Sequence, residues 1–276
     1  MLVLIKGAGD LASGVALRLK HCHFSVIMTD LPQPTAIRRT VAFSSAITDG
    51  TAVVEGITAQ RASSAQDALS IAASGDIAVL ADPEASCRSV LQPAILIDAI
   101  LAKKNLNTAL NHAPMVIALG PGFIAGDDCH CVIETQRGHT LGRTIYQGAA
   151  LPNTGSPGSI GGYTIERILR APCDGRFKPL AQIGETVAVG QTVAYVEDSE
   201  GARHLVPALI SGILRGILPE GIPVYAGMKS GDIDPRCEVS HCYTVSDKAL
   251  AIGGGVLEAI LHLDPSIVGQ APIPRN

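Results

Sequence analysis

Met1-Leu2-Val3-Leu4-Ile5-Lys6-Gly7-Ala8-Gly9-Asp10-Leu11-Ala12-Ser13-Gly14 is followed, a helix length later, by Ser25-Val26-Ile27-Met28-Thr29-Asp30. The order is apolar strand, glycine turn of the G-x-G-x-x-A form, helix, and a second strand closed by an acid, as in a dinucleotide-binding βαβ unit. In that reading Gly7 makes the tight turn and Gly9 lets backbone amides approach a pyrophosphate. Ala12 permits close helix–strand packing, and the helix start at Asp10 and Leu11 faces the anion. Asp30 then accepts from a ribose hydroxyl. The competing reading is a fold that keeps the turn and has lost the ligand.

Working outward, Asp76–Pro83, Ala94–Ala99 and Met115–Leu119 are nearly continuous apolar runs, the first two closed by acids, and read as buried parallel strands. Residues 65–74 read as a helix. Asp10, Asp30, Asp82, Asp98 and the Gly120-Pro121-Gly122 turn would then share one rim of the sheet, where open α/β sheets bind ligands. Arg38 and Arg39 follow the second strand and either reach a phosphate or form a solvated face.

Residues 126–167 are irregular and dense in Gly beside Glu134, Arg137, His139, Arg143, Asn153 and Thr154. This composition suggests backbone brought close to a ligand. Arg137, His139 and Arg143 suit a phosphate group, and His139 with Glu134 is the candidate acid–base pair. The structural alternative pairs Arg137 and Arg143 with Glu134 and Glu166. If Cys129-His130-Cys131 lies on a strand, its thiols share one face and His130 takes the other, so no metal site is expected there.

From Arg170 the rhythm becomes short strands with glycine turns, repeated in two halves, and resembles the flattened barrel of biotinyl and lipoyl carrier domains. The hairpin between the halves, Glu197–Arg203, holds no lysine, and Lys229 comes after the second half. Covalent carriage is therefore not expected. Asp232, Asp234 and Arg236 read as a structural tie between domains. In the tail, Gly253-Gly254-Gly255 interrupts helical spacing and requires a turn or close packing against the first domain. The Pro-rich end after Leu263 is expected to attach loosely.

The expected architecture is α/β: a Rossmann-like parallel-sheet domain over residues 1–168, with a Gly-rich functional segment at 120–160. A small all-β barrel-sandwich domain at 169–236 and a C-terminal segment at 237–276 packing back on the first domain complete it. The chain has 276 residues, 47% hydrophobic and 3% aromatic, with 29 Gly and no Trp, so Ala, Val, Ile and Leu must build the core. A formal charge of -4 with dispersed cations excludes a concentrated nucleic-acid-binding face. No apolar run has the length of a spanning helix, and seven cysteines without C-x-x-C spacing imply reduced thiols. A cytoplasmic protein is expected, with a homodimer as the commonest symmetric assembly.

Leu119-Gly120-Pro121-Gly122-Phe123, Val132-Ile133-Glu134-Thr135, Arg137–Arg143, Asn153-Thr154-Gly155 and Lys229–Arg236 together resemble the YqeB family of the selenium-dependent molybdenum hydroxylase system. The resemblance runs from the first glycine turn to Gly255. It implies an accessory role in maturing a molybdenum hydroxylase, with the hydroxylase or its maturation factors as partners and a nucleotide or the molybdenum-pterin cofactor as ligand. Set against it are an NAD(P)-dependent oxidoreductase, drawn from Gly7, Gly9, Ala12 and Asp30, and a non-catalytic scaffold with a vestigial nucleotide site. Walker A, H-E-x-x-H and G-x-S-x-G sequences are absent.

Overall fold

A computed structural model describes residues 1–155 and 158–268; the last part of the Pro-rich end lies outside the described residues. The first sheet is built from β1 (Leu2–Lys6), β2 (Ser25–Asp30), β3 (Thr51–Val54), β4 (Ile57–Ala62), β5 (Ile77–Ala81), β6 (Ile95–Asp98), β7 (Met115–Leu119), β8 (Cys131–Ile133) and β9 (Thr144–Ile145). Its spatial order is β3-β4-β5-β2-β1-β6-β7-β8-β9. From β4 to β8 every neighbouring pair is parallel. The edge strands β3 and β9 run antiparallel. The order reverses between β1 and β6, so the carboxyl ends of those two strands open a crevice.

Central strands buried on both faces must be apolar throughout, and β1 meets this with Val3, Leu4 and Ile5 all at 0% exposure. Val3 and Ile5 face one core layer with α1 (Asp10–His21) and α5 (Asp247–Leu263), together with Ala46 and Ile47 of α2 (Ser45–Asp49). Leu4 faces the opposite layer with α3 (Ala65–Ala73) and α4 (Arg88–Leu91). The β6–β7 crossover carries no α-helix. Under it lie buried Lys6 and Asp98, with the Thr108 hydroxyl donating to Asp98 at 2.6 Å and the Lys6 ammonium to the Leu106 carbonyl.

Eight short strands form the second unit, called the β-module below. They are β10 (Ile168–Arg170), β11 (Gly175–Pro179), β12 (Thr186–Val187), β13 (Thr192–Glu197), β14 (Arg203–Pro207), β15 (Gly212–Ile217), β16 (Pro223–Val224) and β17 (Lys229–Asp234). They make two four-stranded antiparallel sheets, β10-β17-β15-β12 and β14-β13-β11-β16. Phe177, Leu214 and Ile233 are fully buried between them. The β13–β14 hairpin is closed by Asp198, whose carboxylate accepts from the Glu200 and Ala202 amides at 2.9 Å.

The long helix α5 answers the question of the three glycines: it runs straight through them and lies parallel to α1. A Cβ on Gly14 would sit 2.5 Å from the Ala249 methyl, and one on Gly253 would sit 3.1 Å from the Gly14 carbonyl oxygen. The two backbones therefore approach as closely as glycine permits, and their N-termini end side by side at the crevice edge. No helix among the described residues is long and apolar enough to cross a membrane.

Candidate functional site

The site starts at the turn after β1. Gly7 has φ +106°, and a Cβ there would lie 2.9 Å from the backbone of Ala99 at the end of β6, so only glycine fits. Gly9 is extended and caps α1 with no side-chain hydrogen bond, and a Cβ there would meet nothing within 4 Å. The first helical bond is Ser13 N–H to Gly9 O at 2.8 Å. The amides of Asp10, Leu11 and Ala12 precede it and have no intrahelical acceptor. Ala12 is packed into the core at 1% exposure. Asp30 holds the turn from the side, its carboxylate accepting from Ala8 N–H at 2.8 Å and from Leu31 N–H at 2.7 Å. Burial raises its pKa, and those two bonds oppose the rise.

Arg38 does not lie on a solvated face, one of the two readings of its sequence position. It is 6% exposed, pairs with Asp10 at 3.5 Å, and donates to the carbonyls of His241 at 2.9 Å and Thr244 at 3.0 Å. Arg39 donates to Ile217 O at 3.0 Å, and Ile217 N–H to Ile37 O at 2.8 Å. Both arginines lock the loop after β2 to the β-module and to the segment that leads into α5. The arrangement depends on contacts some 200 positions away in sequence, for which no local signal exists.

The glycine-rich stretch is organised by Glu134. This residue is 2% exposed and its carboxylate accepts from Gln136 N–H at 2.6 Å and Leu151 N–H at 2.8 Å, pinning both ends of the loop. Arg137 does not pair with Glu134 as the alternative above supposed; it makes a bidentate bridge to Asp247 at 2.6 and 3.0 Å. Glu166 accepts from the Thr164 amide in its own turn. Arg143 and His139 are exposed, with no side-chain bond among the described residues, so Glu134 and His139 are not joined. Gly120 and Gly122 approach protein: Cβ atoms there would lie 2.5 Å from the Thr135 hydroxyl and from the Lys104 backbone. Asn153 and Thr154 are exposed on the loop beyond Leu151.

Cys129 and Cys131 do not share a face. Cys131 lies in the layer with α1 and α5, while Cys129 precedes β8 and packs in the layer with α3 and α4. The chain bends at His130, whose Nδ1 accepts the Val116 amide at 3.0 Å. Burial pushes the two thiols up to about 12 and about 11. Among the described residues no group of three His, Cys, Asp or Glu is placed to hold a metal ion.

The outer face of β17 completes the surroundings. Asp232 is buried between Arg167 and Arg215, accepting from Arg215 Nε at 2.8 Å. Asp234 accepts from Arg236 Nε at 2.9 Å and Nη2 at 2.6 Å. Burial alone would raise the Asp234 pKa, but the Arg236 bonds and the Arg215 charge outweigh it and hold it at about 2. The tie expected of Asp232, Asp234 and Arg236 is thus largely internal to the β-module and its approach strand. Arg38, Arg137, Arg215, Arg236 and His241 line a cleft of about 460 Å³ between the module and the start of α5. Lys229 is exposed at the start of β17, and Lys248 is half-buried in the first turn of α5. Burial lowers the pKa of Lys248.

No protein-family profile matches the chain. The chain is 50% identical over 262 residues to "Uncharacterized protein YqeB" of Escherichia coli K12, a likeness that covers 95% of the chain and supports the YqeB family. The chain spans 48% of that protein's length. Among solved structures it is similar to an aspartoacylase family protein from Mesorhizobium loti, with 17% identity, 25% and 22% of the two chains covered, and TM-score 0.24. It is also similar to the product-bound ectoine utilization protein EutE (DoeB) of Ruegeria pomeroyi, at 13% identity, 84% and 52% coverage, and TM-score 0.24. At such scores the structural likeness adds nothing about function.

Proposed function

We propose that this chain, similar to YqeB over nearly its whole length, is an accessory protein in maturation of a selenium-dependent molybdenum hydroxylase. It binds a nucleotide or the nucleotide-linked molybdenum-pterin cofactor at the N-terminus of α1. The observation that carries the reading is the uncapped start of α1, with open space over Gly9 and three amides aimed away from the helix. The parallel strand order β5-β2-β1-β6-β7-β8, with this turn at its reversal, supports a Rossmann-like description of the sheet. The two small antiparallel sheets support a biotinyl/lipoyl-like description of the module, and the lysine-free β13–β14 hairpin argues against a carrier.

The residues present suit the phosphate part of such a cofactor. The α1 amides and neighbouring cations would hold it, and the bound group would bring the redox-active molybdenum–dithiolene chemistry that the target enzyme needs. The chain's own part is to bind, orient and shield that group. The partners proposed are the hydroxylase or its other maturation factors, in the cytoplasm.

Native mass spectrometry with NAD, NADP, ATP and cytidine-linked molybdopterin tests this. Retention of the pterin species by the wild type, and its loss in Gly9→Val, is the expected result. The backbone of Gly9 is extended with no neighbour to clash, so this variant should fold at a cost below about 1 kcal/mol. Retention of nicotinamide alone would favour the oxidoreductase reading, and retention of nothing the scaffold.

A further inference from the structure

We propose that the arginine-lined cleft between the β-module and the start of α5 is a second binding site, which takes a doubly charged phosphate group, free or carried as a monoester. The inference does not rest on the nucleotide reading above. None of the residues lining the cleft belongs to the Gly7–Ala12 turn, and the salt bridge from Arg38 to Asp10 is the link between the two places.

The pairing of the guanidiniums leads to it. Arg38, Arg137, Arg215 and Arg236 line the cleft with His241, and Asp247 is the one carboxylate among the described residues of the lining. Asp10, Asp232 and Asp234 hold these side chains without lining the cleft themselves. Asp234, 1% exposed, gathers three of the groups at one oxygen, with Arg215 at 3.5 Å, Arg236 at 2.6 Å and His241 Nδ1 at 3.7 Å. Around the cleft the ion pairs set five guanidiniums, those four and Arg167, against four carboxylates, Asp10, Asp232, Asp234 and Asp247. One positive charge is left over before His241 is counted. Charge left uncompensated where protein displaces water is costly, and an anion in the cleft removes that cost.

Orphaned polar atoms in the wall support it independently. Arg38 is only 6% exposed, yet its one carboxylate lies 3.5 Å away, its other bonds go to the neutral carbonyls of His241 and Thr244, and its Nε has no partner. His241 Nδ1 is also buried without a hydrogen-bond partner. Such atoms are rare in a folded protein unless a bound group completes them. The 17-residue helix α5 adds to the positive wall, since its start, from Thr244 to Asp247, lines the same cleft with the positive end of its dipole. Guanidinium forks match phosphate oxygens in pairs, and several forks around one cavity call for more charge than a single carboxylate brings. At about 460 Å³ the cleft has the size of a small-molecule pocket.

Calorimetric titration of the full chain with inorganic phosphate, glycerol 3-phosphate and acetate, at fixed ionic strength in chloride, tests this. Both phosphates are expected to bind about tenfold or more tighter than acetate, and the tighter of the two tells whether the group is taken free or as a monoester. Arg236→Gln removes a half-exposed fork, and Ser159→Asp puts a carboxylate at an exposed position of the lining. Each should weaken phosphate binding about tenfold, while the neutral Ser159→Asn and the distant Gly9→Val leave it unchanged. Phosphate binding that both Arg236→Gln and Ser159→Asp leave intact overturns the cleft site; if Gly9→Val then abolishes it, the phosphate sits on the α1 turn and the nucleotide reading gains. Acetate bound as tightly as phosphate, or a wild type that binds neither phosphate, also overturns the proposal and leaves the nucleotide reading to its own test.

Discussion

Adjacent glycines in α5 give the sharpest test of how this fold is held. Gly254 faces solvent, and a Cβ there would meet nothing within 4 Å. Gly255 is buried, and a Cβ there would sit 2.1 Å from the Gly142 carbonyl oxygen. Gly254→Ala should therefore stabilise the protein by the full helix-propensity difference, about 1 kcal/mol. Gly255→Ala gains the same propensity but must push α5 away from a backbone atom that cannot rotate aside. Overpacking of this kind costs about 1–3 kcal/mol, and a contact this short against backbone belongs at or above the top of that range, for a net loss of about 2 kcal/mol. The two variants should then differ by about 3 kcal/mol, and in melting midpoint by roughly 6–12 °C for a chain of this size. Urea denaturation followed by far-UV circular dichroism and by calorimetry measures both. Equal stabilities, or stabilisation by Gly255→Ala, would refute the claim that α5 is seated on the Gly142 backbone.

Two further outcomes follow from the buried polar groups. Glu134→Gln keeps the shape but replaces one acceptor oxygen by an NH2, leaving either the Gln136 or the Leu151 amide without a partner. A loss of about 1–3 kcal/mol is expected, with faster amide exchange at those two positions, and unchanged exchange would remove Glu134 as the organiser of the loop. Asp234, held at about 2 against an ordinary 3.8, binds fewer protons folded than unfolded. Its contribution is fully present above 3.8 and is lost as pH falls through about 2. Its size is about 2 kcal/mol. The stability gap between wild type and Asp234→Asn should shrink across that window, and a gap independent of pH would show that the Arg215 and Arg236 contacts do not set its ionisation.

The first glycine turn, the parallel strands and their closing acids were legible because each rests on local periodicity and on steric rules that act within a few residues. Gly7, Gly9 and Ala12 have three separate environments, pressed against Ala99, open, and buried, and the spacing alone distinguished them. The antiparallel hairpin β3–β4 at the sheet edge was not read, since its alternation is short and half-exposed. The partners of Arg38, Arg137 and Glu134 were also beyond reach. A guanidinium or carboxylate chooses its partner by distance in space, and Asp247 is 110 positions from Arg137.

Sequence by itself determined the alternation of apolar strands and glycine turns, the lack of a lysine on the β13–β14 hairpin, and that Gly253–Gly255 must make either a turn or a close packing contact. Tertiary structure alone decided what Gly253 and Gly255 pack against, how the module is bolted to the loop after β2, and that Arg137 pairs with Asp247. The physical reason is that backbone propensity and hydrophobic period are short-range quantities, whereas a binding site is a sum of charges that only the folded chain brings within reach of one another.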